Sequence, residues 1–176
     1  YLQIGMGFGP LESGLRAAPW TMVPMVVAPV AGVLVKRYGP RAVLLIGMVL
    51  QTAAVGCFVL LAHTSSGYGP YVLPMLIAGT GMGLTFSPLA TAVLEGIASQ
   101  NRAVVSGVNQ TARQLGTATG IALCTALFTT FGAYAPGERF TAGLVPALGA
   151  CTVLLVVATA LVIAMPRGHL QPAGQQ

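Results

Sequence analysis

Aspartate is absent from this 176-residue chain, and negative charge comes from three glutamates alone, Glu12, Glu95 and Glu138. Lysine and arginine together number eight, so charged residues make up 6% of the chain. An ordinary soluble domain carries about 25%. With 55% hydrophobic residues and a mean hydropathy of +0.82, there is too little charge to clothe a soluble fold of this size. The chemistry of catalysis is equally scarce. The histidines, His63 and His169, stand alone, and Cys57, Cys124 and Cys151 each lie in an apolar tract with no CxxC pairing. There are no paired acids for proton transfer, no His/Cys/Asp cluster at metal-ligand spacing and no Walker-type loop, so neither an enzyme nor a resident metal or cofactor is expected. Eight dispersed cations form no row that could neutralise phosphates, which excludes a nucleic-acid partner.

Long uncharged runs dominate instead. They number 19 residues between Arg16 and Lys36, 53 between Arg41 and Glu95, 24 between Arg113 and Glu138, and 27 between Arg139 and Arg167. About 18 uncharged apolar residues suffice for a transmembrane helix candidate. The runs lack apolar/polar alternation, so a strand barrel is excluded and the fold class is an all-α membrane protein, a polytopic helix bundle. Five spans are expected, at about 17–35, 42–62, 71–94, 108–131 and 142–165. The turn-rich stretch from His63 to Pro70 divides the longest run, and Pro136-Gly137 marks another break. Residues 1–166 then form a transmembrane half-bundle, and 167–176 a disordered polar tail.

Basic residues set the orientation. Lys36, Arg37, Arg41, Arg102 and Arg167 fall on one side, Arg16 and Arg139 on the other, each of the latter near a glutamate. The positive-inside bias therefore puts the 36–41 loop, the 95–107 loop and the tail in the cytoplasm of a multi-pass cell-membrane protein. The first residues then lie outside, which requires a further span upstream. A chain starting at Tyr1 is expected to be a piece of a longer protein.

Two glycine runs, Gly79-Thr80-Gly81-Met82-Gly83 and Gly116-Thr117-Ala118-Thr119-Gly120, contain GxxxG, a spacing that lets helix backbones approach in lipid. Pro19, Pro24 and Pro29 share one span; either they bend a helix beside a cavity or they are ordinary membrane prolines. Arg113, among Asn109, Gln110 and Gln114, lies one to two turns inside the fourth span. Such a cation either snorkels to head groups or faces protein, where pairing with Glu95 would latch two helices at the cytoplasmic side.

The segment Gly32-Val33-Leu34-Val35-Lys36-Arg37-Tyr38-Gly39-Pro40-Arg41 resembles the GxLxDRxGxR loop signature of the major facilitator superfamily, in its second-half copy. The run Tyr1-Leu2-Gln3, then Gly9 to Leu15 with Pro19, is similar to the YLQ…SPLxAGLxxLP run of the fourteen-span drug:proton antiporter branch. Ser106 to Gly116 followed by Gly120 resembles that branch's SGxxNTxRQxGxxxG signature. The resemblance implies the last five helices of a transporter, the C-terminal part of a major facilitator fold whose N-terminal half lies elsewhere in the same chain. It implies proton-coupled efflux of drugs or other lipophilic or cationic compounds, with multidrug resistance as the outcome, no bound cofactor, and the proton gradient as energy source. A metabolite transporter of the same superfamily, or a non-transporting scaffold or remnant, are the alternatives.

By the same resemblance, Gly32, Arg37, Gly39 and Arg41 brace the cytoplasmic face, and Glu95, Arg113 and Gly116 belong to the conformational machinery. Lys36 departs from the pattern, standing where the family usually has Asp. Met82 and Phe86 in the third span and Asn109 and Gln114 in the fourth are the candidate substrate-lining residues. For Met82 and Phe86 the alternative is packing between helices.

Overall fold

A computed structural model describes residues 2–3, 6–64, 67–94, 99–133 and 138–164. Five helices run in sequence: α1 (Pro10–Tyr38), α2 (Pro40–Thr64), α3 (Gly69–Leu94), α4 (Arg102–Phe131) and α5 (Glu138–Ala164), with a single 3₁₀ turn at Ser99–Asn101 before α4. Lipid offers the backbone no hydrogen-bond partner, so an uncharged run must satisfy its own amides, and the helix does so within one segment. By length and composition α1, α2, α4 and α5 can each cross a membrane, and α3 carries no charged residue at all. The protein is a multi-pass membrane protein embedded in the bilayer.

Several helices outrun the apolar spans. α1 starts at Pro10, well before residue 17, with proline at its first turn where a missing N–H is harmless. Arg16 need not interrupt it, because Glu12 one turn earlier holds the guanidinium at 2.6 Å. α4 starts at Arg102, so residues 102–107 are helical where a loop is expected from charge and polarity. α3 and α5 start at Gly69 and Glu138, so Pro74 and Pro146 sit inside them.

The packing is built on glycine. In α3, residues two apart point to nearly opposite sides, and Gly79 and Gly83 face α1 while Gly81 faces α2. A Cβ on Gly81 would lie 2.7 Å from the Gly47 carbonyl oxygen, and a Cβ on Gly47 would lie 2.8 Å from that of Gly81. The two backbones therefore touch reciprocally, and Gln51 donates to Thr85 Oγ1 at 2.8 Å across the same crossing. On the other side, a Cβ on Gly79 would meet the Trp20 carbonyl oxygen at 2.8 Å. That oxygen is the one Pro24 leaves without its usual i+4 donor. The Gly79 Cα hydrogen that stands in place of a side chain points at it, a weak C–H···O contact in a medium where nothing better is available. Gly83 in turn would bring a Cβ within 3.2 Å of the Pro24 Cα. Here the proline is part of a helix contact.

α2 also packs on α5, and α5 on α4, whereas α4 touches α3 only lightly. At the α4–α5 contact Gly143 approaches the Phe128 carbonyl, and Phe128 and Phe140 meet edge to face at 5.1 Å. The tight core is small, Ala31, Val43 and Leu84 with Val27, Leu34, Val35 and Leu50 around them. Many large apolar side chains face outward, as a lipid solvent permits.

Candidate functional site

The end that carries Lys36, Arg37 and Arg41 is organised by one glycine. Gly39 has φ 82° and ψ 156°, a region open essentially to glycine, and its amide donates to the Val35 carbonyl at 2.9 Å. This single residue reverses the chain between α1 and α2. The reversal delivers Arg41 to the first turn of α2, where its guanidinium donates to the Ile163 carbonyl of α5 at 2.6 Å. Arg41 thus engages a carbonyl in the last described turn of another helix, where a cation also suits the helix dipole. Arg37 lies over the neighbouring Tyr38 ring at 5.4 Å, Lys36 is exposed, and Gly32 is half-buried in α1.

The opposite end is held by aromatic groups. Tyr68 donates its hydroxyl to the Arg16 carbonyl at 2.7 Å, and the Arg16 guanidinium lies 3.8 Å from the Phe8 ring centroid and 4.8 Å from that of Tyr68. Toward this end a cavity of about 660 Å³ opens among α1, α2, α3 and α5. Trp20, Phe58, Tyr71 and Met75 line it together with Leu144 and Leu148, and Leu2 and Gln3 enter it from the start of the chain. Sequence reasoning missed this cavity. Its one advance signal is that Trp20, Phe58 and Tyr71 fall toward one side of the membrane once the helices alternate in direction.

The expected lining residues lie elsewhere. Phe86 is 39% exposed and Met82, one turn earlier on α3, is half-buried. The Phe86 ring lies 5.4 Å from the Arg113 guanidinium carbon, within cation–π range. So the structure joins one expected lining residue to one expected conformational residue across the light α3–α4 contact. Glu95 lies outside the described residues, as does the tail 167–176, and with Glu95 goes the expected latch.

Around Arg113, α4 is open. Between Arg102 and Gly120 only Val105, Asn109 and Gly120 are even half-buried; Gln114 and Gly116 are exposed. A Cβ on Gly116 or Gly120 would meet nothing within 4 Å, so the second GxxxG run makes no helix contact among the described residues. At 100° per residue, Ser106, Asn109, Gln110, Arg113, Gln114 and Thr117 fall on one face of α4. Arg113 lies eleven residues into the helix, about 17 Å along its axis at 1.5 Å per residue. Polar and charged residues within a membrane span almost always face protein or a water-filled cavity, and those near its ends snorkel to head groups. Among the described side chains the only carboxylate is that of Glu12, far from this stripe and already bound to Arg16.

Comparison with known proteins places the chain. It is 32% identical over 132 residues to the Uncharacterized transporter YebQ of Escherichia coli (strain K12), covering 75% of this chain and 29% of that protein. It is 32% identical over 131 residues to the Multidrug resistance protein B homolog of Mycobacterium tuberculosis (strain ATCC 25618 / H37Rv), covering 73% and 24%. To the Tetracenomycin C resistance and export protein of Streptomyces glaucescens it is 31% identical over 123 residues, covering 70% and 23%. The chain thus spans under a third of the length of these relatives. The family profile described as Major Facilitator Superfamily matches residues 1–121, a stretch that takes in the Gly39 reversal, the glycine crossing of α3 and the polar face of α4. On that match, and on a helical membrane fold that agrees with it, the chain belongs to the Major Facilitator Superfamily.

Proposed function

We propose that the chain forms the C-terminal part of a secondary active transporter that exports small lipophilic compounds at the expense of the proton gradient. The observation that carries this reading is the polar face of α4, open and inside a membrane span. Such a face suits a helix that borders a substrate path between two halves of a transporter, which rock about a central site. The remainder of a longer chain would supply the facing half, and with it the coupling carboxylates, since Glu12 is tied to Arg16. The names of two relatives, one a multidrug resistance homolog and one a resistance and export protein, point the same way. In this reading the Gly39 and Arg41 end is cytoplasmic, as the positive-inside bias requires.

The test is efflux of a lipophilic tracer dye from cells carrying the full-length gene. Export that a protonophore abolishes is the expected result. Dye retention equal to that of cells without the gene would refute it.

A further inference from the structure

The export reading leaves open the charge of the exported compound, and on that reading α3 and α4 supply an answer. We propose that Phe86 and Arg113 together recognise an anionic aromatic compound, the ring by stacking on Phe86 and the negative charge by pairing with the Arg113 guanidinium. This departs from the cationic substrates that resemblance alone suggests.

Three observations converge on it. First, Arg113 is a cation inside a candidate membrane span, where an ionisable residue is costly and is a functional-site candidate by default. Second, its contact among the described residues is the Phe86 ring, 5.4 Å from the guanidinium carbon, and no described carboxylate is near it. A guanidinium on an aromatic face keeps its in-plane N–H donors free, and these can grip a sulfonate, carboxylate or phenolate through two parallel hydrogen bonds. Third, the surroundings complete the subsite. Phe86 is partly exposed, Met82 extends the apolar surface one turn along α3, and Asn109, one turn before Arg113 on the same face, adds an amide. An organic cation placed here would meet a like charge at close range with nothing described to offset it.

The experiment uses everted membrane vesicles energised by respiration, from cells producing the full-length transporter. Two non-exchangeable probes share one ring system and differ in charge: naphthalene-2-sulfonate and 2-naphthyltrimethylammonium. The wild type is expected to accumulate the sulfonate. Arg113→Gln should lower that accumulation about tenfold or more, the scale of one lost charge-assisted contact, without lowering uptake of the ammonium probe. Phe86→Leu, which keeps apolar volume but removes the ring face, should weaken the sulfonate with its charge contact intact.

Equal loss of both probes in Arg113→Gln would assign Arg113 a structural role and overturn the proposal. So would loss of sulfonate uptake in Glu95→Gln that a Glu95/Arg113 charge swap restores, since the cation would then belong to the latch. Accumulation of the ammonium probe alone would overturn the proposal while leaving the export reading in place. Accumulation of neither would overturn this inference, and efflux of the tracer dye from the same cells then shows whether the export reading stands without it.

Discussion

Alanine at Gly81 and alanine at Gly116 should have opposite effects, although both positions lie in glycine runs of the same spacing. At Gly81 the new methyl would stand 2.7 Å from the Gly47 carbonyl oxygen, 2.8 Å from Gln51 Cγ and 2.9 Å from the Gln51 amide nitrogen. Two of these neighbours are backbone, so relief requires α2 and α3 to move apart by about half an ångström. Overpacking of this kind costs about 1–3 kcal/mol. The same movement stretches the Gln51–Thr85 hydrogen bond from 2.8 Å. An interhelical bond of this type in a membrane contributes about 0.6 kcal/mol. Against this stands the helix propensity gained on leaving glycine, about 0.8–1 kcal/mol.

The net effect of Gly81→Ala is therefore a loss of about 1–2 kcal/mol. At Gly116 nothing lies within 4 Å of a Cβ, so only the propensity gain survives, at about 0.5–1 kcal/mol. The assay is thermal unfolding of the 176-residue chain in detergent, followed by helical circular dichroism and by retention of a monodisperse peak. The midpoint should fall for Gly81→Ala and hold or rise for Gly116→Ala. Equal shifts of one sign, or a stabilised Gly81→Ala, would refute the reciprocal backbone contact.

Three further outcomes follow from single contacts. Gly39→Ala forces an L side chain into φ 82°, ψ 156°, and should cost about 1–3 kcal/mol in the same assay. Arg41→Ala removes the guanidinium from the Ile163 carbonyl. Charge-assisted bonds contribute about 1.5–3 kcal/mol, but this one is exposed, so a loss near 1 kcal/mol is expected, together with faster proteolysis at the α5 end that Arg41→Lys slows in part. Cys124 and Cys151 hold their sulfurs 3.3 Å apart across α4 and α5. A membrane-permeant oxidant such as copper–phenanthroline should therefore join them, so that a chain cut within 134–137 at an engineered protease site runs as one band until reduced. Cys57→Ala should leave the joined band intact and Cys151→Ala abolish it.

The membrane class and the helical fold were legible in the sequence because they depend on local composition. A run of uncharged residues long enough to cross hydrocarbon must close its own hydrogen bonds, whatever its neighbours are. Gly39 entered only through the resemblance of its loop, and the backbone angle that glycine alone adopts comfortably there was added by the structure. Helix ends were less legible, since the Glu12–Arg16 pair lets α1 run on through charge that composition reads as a boundary.

Tertiary structure alone separated the two glycine runs. Gly79, Gly81 and Gly83 lie under the backbones of α1 and α2, while Gly116 and Gly120 face open space, and identical spacing carries no record of what stands opposite. Likewise Arg113 announces itself by its cost in a membrane, yet its meeting with an aromatic ring of α3 is a matter of distance. Phe86 and Arg113 are 27 positions apart in the chain, and only the fold of α4 back along α3 sets them 5.4 Å from each other.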